Sequence, residues 1–273
     1  MQQSEQQASP RMRQRPPPRN VHVKAINRIT PHMIRITVAG DELAGFTTHG
    51  TAEHIKIFLP QLGQKSVVMP TMGSNGPEMP QGIQRPVNRT YTPRKWNASA
   101  NELDIDFLIH GDGPAAIWAS KAKVGDKVVV SSPSGPYNPD LSADWHLIAG
   151  DDTALPAIGT ILEALPPTAK AHVFIEVIDA AEEQKLESQA QTHITWLHRG
   201  KGAAGHTLEK AIRDANLPSG RPAIWVACEA NVMRSIRRHL LNDRGVDRST
   251  LYTRGYWKIG ESNHPDHDTG EDV

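Results

Sequence analysis

One short stretch holds residue types that suit a ligand bearing both a phosphate and a flat ring: Arg89-Thr90-Tyr91-Thr92-Pro93-Arg94. It is extended in character and stops at a proline, which cannot continue the hydrogen-bond ladder of a central strand. Residues two apart on a strand share a face, so Arg89 and Tyr91 point together and Thr92 follows on the other side. A cation beside an aromatic ring can grip an anion and cover a ring. The same residues equally describe an ordinary edge strand with a half-buried tyrosine and a solvated arginine, and the context downstream has to decide.

Two strand-to-helix turns supply that context. His110-Gly111-Asp112-Gly113-Pro114-Ala115-Ala116-Ile117-Trp118 follows a strand and opens a helix, with Pro114 suited to the first helical turn. The free N–H groups and positive dipole end of such a helix favour an anion, and the glycines let a phosphate approach the backbone. A plain turn without a ligand has the same composition. Gly150-Asp151-Asp152-Thr153-Ala154-Leu155-Pro156-Ala157 is the second turn of this kind. Ligands of open α/β sheets lie beyond the carboxyl ends of the strands, so this loop is expected to face a cleft, although it lacks the G-x-G-x-x-G fingerprint. Near the end, His264-Pro265-Asp266-His267-Asp268 reads either as a stray metal site or, more simply, as part of a free tail.

The elements that must position these residues fall into two textures. The chain has 273 residues, long for one core and enough for two compact domains. Residues 1–19, rich in Gln, Arg and Pro, have almost nothing to bury and read as a disordered tail. Over 20–140 the apolar runs are short and alternating: Val21 to Ile26, Met33 to Val38, Ile55 to Leu59, Leu103 to Ile109 and Lys127 to Ser131. They predict an antiparallel sheet or small barrel, with a long loop from Pro60 to Val87. Over 141–260 apolar runs at Trp145 to Ala149, His172 to Ile178, Ile194 to Leu197 and Ala223 to Ala227 alternate with helical stretches at Ala154 to Ala164, Ala181 to Ala190, His206 to Ala215 and Ala230 to Asn242. That alternation predicts βαβ units and a parallel sheet. Residues 261–273 read as a second tail.

Charge and cysteine content narrow the function classes. The 30 basic residues balance 30 acidic ones, so a sequence-independent grip on nucleic acid is not expected. The one cysteine, Cys228, excludes an internal disulfide and a thiolate metal cluster and fits a reducing cytoplasm. No apolar run approaches the roughly 20 residues that span a bilayer, and no signal peptide is read.

Taken in order, these motifs resemble one family. Arg89-x-Tyr91-Thr92, the strand into His110 with Gly113-Pro114-Ala115 and Trp118-Ala119, Gly150 to Ala157, and the terminal Gly255-Tyr256-Trp257 are similar to the siderophore-interacting proteins, within the ferredoxin-reductase superfamily. The resemblance runs over about residues 20 to 260. It implies an N-terminal antiparallel flavin-binding β-barrel and a C-terminal α/β domain of the NAD(P)H-binding kind. It implies FAD as cofactor, NADPH, NADH or reduced ferredoxin as electron donor, and a ferric siderophore as substrate, in a cytoplasmic, monomeric protein. Carried onto this sequence, Arg89 would meet the pyrophosphate, Tyr91 the ribityl or ring, and Thr92 the flavin near its reactive nitrogen. Thr90, Asp106, Leu108, His110, Gly113, Pro114, Ala115 and Trp118 would complete the cofactor site, with Thr153 and Ala154 closing its other side. Two departures from the family pattern are Ala116, where a serine is frequent, and Cys228, where a glycine is usual after the last sheet strand.

For the substrate, the resemblance places Lys56, in His54-Ile55-Lys56-Ile57-Phe58, and Arg254 beside the chelate; a solvent-facing strand lysine has the same pattern as Lys56. Arg234 shares a helix face with Arg237 or Arg238, which suits the 2′-phosphate of NADPH or simply solvent. The function classes left are a ferric-siderophore reductase, a generic NAD(P)H-flavin diaphorase, or a non-catalytic module that binds FAD or the siderophore.

Overall fold

A computed structural model of the chain describes residues 16–272 other than Leu62, Ser74, Asn75 and Asp112. Most of the tail expected over 1–19 therefore lies outside the described residues, and Arg19 already belongs to the first strand. Strands β1 (Arg19–Arg28), β2 (Met33–Ala39), β3 (Ile55–Leu59), β6 (Val87–Tyr91), β7 (Pro93–Asn97), β8 (Glu102–Leu108) and β9 (Lys127–Val130) form one antiparallel sheet in the order β6-β3-β9-β1-β2-β8-β7. Its inner face alternates as the sequence predicts: Ile34, Ile36 and Val38 of β2 meet Leu103, Ile105 and Phe107 of β8 in a shared core. The edge strands β6 and β7 are consecutive in the chain and joined through Thr92 alone, so the sheet curls into a half-barrel. Pro93 opens β7 at that edge, where a residue without an N–H is tolerated. Among its described residues, the expected loop from Pro60 to Val87 is irregular up to β6 apart from a small separate hairpin, β4 (Thr71–Gly73) with β5 (Gly76–Glu78).

After α1 (Pro114–Lys121) and β9 the chain enters a parallel sheet of β10 (Trp145–Asp151), β11 (Lys170–Val177), β12 (Gln191–His198), β13 (Pro222–Glu229) and β14 (Leu251–Trp257), ordered β12-β11-β10-β13-β14. Helices α2 (Leu155–Ala164), α3 (His206–Asp214) and α4 (Ala230–Arg238) pack on it, and every residue of β10 is buried. Two helices begin on a carboxylate from the end of a strand. Glu176 of β11 accepts hydrogen bonds from Gly205 N, Thr207 Oγ1 and Leu208 N at the start of α3. Glu229 of β13 accepts from Asn231 N and Val232 N and caps α4.

The helix expected over Ala181 to Ala190 is a correction. Only a single 3-10 turn, Ala180–Glu182, forms there, and the chain then runs irregularly into β12. The segment is rich in helix formers but carries too few apolar residues to make a buried stripe, and short helices depend on such packing. Cys228 lies within β13, which is not the last strand: Leu251–Trp257 adds a fifth. Its thiol is fully buried in the core between the sheet, α3 and α4, and burial pushes its pKa well up.

The two sheets meet across an interface that fixes the site. Glu182, buried, accepts from Thr30 Oγ1 at 2.5 Å and lies 2.6 Å from His32 Nδ1. Arg94 reaches Glu163 of α2 at 2.6 Å, and Ala52 N donates to Thr160 Oγ1 at 2.9 Å. Met33 and Ala52 pack into the core of the parallel-sheet half. Among the described residues no helix is long and apolar enough to cross a membrane.

Candidate functional site

A cleft of about 410 Å³ opens where the seam of the half-barrel faces the carboxyl ends of the parallel strands. The β-sheet wall contributes Arg89, Thr90, Tyr91, Thr92, Asp106, Leu108 and His110, and the start of α1 contributes Gly113 and Pro114. The opposite wall contributes Asp152, Thr153 and, from β14, Tyr252 and Arg254 to Trp257. The sequence expectation thus comes together in one place for these residues. Ala115 is instead buried in the half-barrel core, and Trp118 packs there with its ring 5.5 Å from that of Phe107. Ala154 is buried under the turn, where a Cβ on Gly150 would fall 2.6 Å from its own.

Pairing in the sheet explains which way the motif points. Arg89 and Tyr91 stand opposite Ile57 and Ile55, whose side chains are in the core, so both face inward as the two-residue spacing requires. Tyr91 leans on Phe107 at 4.4 Å, and burial raises its phenol pKa well above the ordinary value despite the Arg89 charge. Arg89 Nη1 donates to Asn88 O at 2.8 Å and Nη2 to Ser262 Oγ at 3.0 Å. Thr90 pairs with Lys56 on the other face, where Lys56 Nζ donates to Thr90 Oγ1 at 2.6 Å and also meets the Asp266 carboxylate. Asp106 is held by a two-pronged pair with Arg35 at 2.7 and 2.8 Å.

On the opposite wall, Asp151 ties three strand ends together. Its carboxylate accepts from Thr153 N and Oγ1, from Glu229 N at 3.1 Å and from Trp257 Nε1 at 2.8 Å. Burial and the neighbouring Asp152 push its pKa up to about 7, against the pull of those donors. Asp152 faces the cleft beside Arg199 at 2.9 Å; its burial, which raises the pKa, outweighs the Arg199 charge. Arg254 Nε donates to Tyr252 Oη at 3.0 Å, and its guanidinium lies 4.8 Å from the centre of that ring.

Sequence reasoning missed several lining residues. Met33, Ala52, His54 and Gly135 face the cleft, and Gly135 is needed because a Cβ there would fall 2.8 Å from the His54 ring. It also missed the segment after β14. Residues 261–272, expected to belong to a tail, fold back so that Glu261, Ser262, Asn263, His264 and Asp266 line the cleft. Arg234, expected at a 2′-phosphate, is engaged by this segment: its guanidinium pairs with Asp268 at 2.8 and 2.9 Å and reaches Asp272 at 3.3 Å.

Comparison with known proteins decides the family. Residues 22–137 match the siderophore-interacting FAD-binding domain, and residues 143–260 match the siderophore-interacting protein family. The ferric vibriobactin reductase ViuB of Vibrio cholerae is 35% identical over 88% of this chain and 89% of its own. The chain belongs to the siderophore-interacting protein family.

An NADPH-dependent ferric-chelate reductase of Escherichia coli is 30% identical over 88% of this chain and 92% of its own. A siderophore utilization protein from T. fusca has the same fold with a TM-score of 0.80, at 35% identity over 92% of this chain and 96% of that one. The cleft of this family member fits a flavin dinucleotide by its own polar groups. The Thr92 hydroxyl, on a residue only 8% exposed, meets no partner among the described residues. Among the described residues the start of α1 has no side-chain cap, and a Cβ added at Gly113 would meet nothing within 4 Å, which leaves room for an anion at this helix start.

Proposed function

We infer that the protein is a flavin-dependent ferric-siderophore reductase that takes electrons from NADPH. One observation carries the reading: the arginine, tyrosine and threonine of one domain and the strand ends of the other line a single cleft. When bound, FAD accepts electrons in pairs and passes them on singly. In this reading the chain's own residues hold, orient and screen. Arg89 and the open N–H groups at the start of α1 bind the pyrophosphate, Tyr91 and Thr92 position the ring system, and Thr153 closes the other side. Trp257, fixed by Asp151, limits water at the strand ends. Lys56 and Arg254 draw an anionic chelate to the mouth of the cleft. Fe(III) is a hard cation tightly held by oxygen ligands, and Fe(II) is held less well, so reduction releases the metal.

The test is an anaerobic absorbance titration of the purified protein. Flavin bands bleached by NADPH and restored by a ferric siderophore support the reading. Bands restored equally by any electron acceptor, with no saturation by the ferric siderophore, would make it a general diaphorase, and flavin that NADPH leaves oxidised would make it a binding module.

A further inference from the structure

The segment beyond β14 lines the cleft, tied to the parallel-sheet half near both its ends and touching the half-barrel between them. Its anchor is on the parallel-sheet half. Asp268 pairs with Arg234, lies 2.7 Å from His264 Nε2, and accepts through its backbone carbonyl from Gly255 N at 2.9 Å. Thr253 Oγ1 donates to Thr269 O at 2.5 Å. The absence of a side chain at Gly255 makes room for this docking, since a Cβ there would fall 2.6 Å from Asp268 Oδ2.

From this anchor the segment reaches the half-barrel. Asp266 forms an ion pair with Lys56 and accepts from Thr90 Oγ1 at 2.5 Å, while Ser262 takes one arm of Arg89. One stretch of chain therefore reaches Arg89, which lines the cleft, and Lys56, which meets Thr90 on the other face of the same strand pair, and it supplies a carboxylate to the second.

We propose that this segment is a strap lying in the anion subsite of the substrate, and that Asp266 sets the preference among ferric chelates by competing with them for Lys56 and Thr90. The proposal rests on the reading of Lys56 as a chelate contact. With Asp266 docked, an anionic chelate meets a neutralised lysine and an opposing carboxylate, whereas a neutral chelate has no stake in Lys56. The Lys56 and Asp266 side chains remain 30% and 22% exposed, so solvent screens the pair and the competition is modest. A subsite occupied most of the time weakens an entering ligand by the fraction left open, here about three- to ten-fold.

The experiment uses the full chain loaded with flavin and two substrates, a trianionic ferric tris(catecholate) and a neutral ferric tris(hydroxamate). Asp266→Asn is expected to lower KM for the anionic chelate about five-fold, by the same open-fraction argument, and to leave KM for the neutral one where it was. Unchanged KM for both overturns the proposal. Lys56→Ala tests the underlying reading separately: if it raises KM for the anionic chelate while Asp266→Asn does nothing, Lys56 stands and the strap falls. If Lys56→Ala changes neither KM, both fall. A second readout needs neither a variant nor turnover. The gallium tris(catecholate), which is not reduced, is expected to speed hydrogen exchange of residues 261–272 in the unaltered protein, and slowed or unchanged exchange would overturn the strap.

Discussion

At the scale of single residues, Arg89 and Asp151 do different kinds of work. Arg89 faces the cleft with one arm on Ser262. A charge-assisted hydrogen bond contributes about 1.5–3 kcal/mol, so Arg89→Ala is expected to weaken FAD binding roughly 10- to 150-fold, measured by flavin fluorescence on equilibrium dialysis. Asp151 acts on the protein instead: Asp151→Asn turns an N–H group toward a ring in which Thr153 N, Glu229 N and Trp257 Nε1 can only donate. It is expected to cost about 2–3 kcal/mol, read as a lowered urea midpoint with an unchanged slope. The shared face of Arg89 and Tyr91 was legible in the sequence because strand spacing sets it, whereas Thr92, expected on the other side, sits in the link between β6 and β7 and lines the same cleft. The clamp at Asp151 was not, because its partners Glu229 and Trp257 lie 78 and 106 residues away and only the parallel register brings them together.

At the scale of elements, apolar runs found β1, β2, β3, β8 and β9 of one sheet and β10 to β13 of the other, and they missed β7 and β14. Residues 183–190 have helical composition without a stripe to bury, and β14 was hidden because its short run carries Thr253, Arg254 and Gly255 among its apolar residues. The strap was illegible for the same reason as a whole: it is polar throughout, and its order comes from ion pairs to distant residues. Arg234→Ala is accordingly expected to raise hydrogen exchange across residues 261–272 and to alter KM for NADPH and NADH alike; a rise for NADPH alone would return the arginine to the 2′-phosphate. The strap also has a defined response to acid. Burial pushes the Asp266 and Asp268 carboxyls up, but Lys56 and Thr90 on the first, and His264 and Arg234 on the second, outweigh it and hold both below the ordinary 3.8. A carboxylate depressed in the docked state stabilises docking above its free value and loses that contribution as pH falls through the docked one. Exchange of the strap is therefore expected to stay slow down to about pH 4 and to rise only below it.

At the scale of the whole molecule, the cleft exists because two cores are pinned against each other by a few polar contacts and by Met33 and Ala52, which pack across the joint. Glu182, from a turn where the sequence predicted a helix, reaches Thr30 and His32 in the other half. Glu182→Ala strands the Thr30 hydroxyl in a buried place and is expected to cost about 1–3 kcal/mol, seen as a lower midpoint in urea. The two-domain architecture was legible from texture alone, but the interface was not, since it rests on single side chains that no periodicity marks. The joint at Thr92 fixes a dimension of the molecule in another way. Strands β6 and β7 lie at opposite edges of one sheet, yet a two-step backbone link spans at most about 7 Å. The gap between those edges is thus gauged by covalent length, independently of any side chain that lines it. Every substitution around the seam works within a fixed width, whereas two residues spliced in after Thr92 would let the edges part by up to about 7 Å more without removing a rung from either ladder. Width at this seam is a property of chain length, which gives insertions, rather than substitutions, the power to resize the slot.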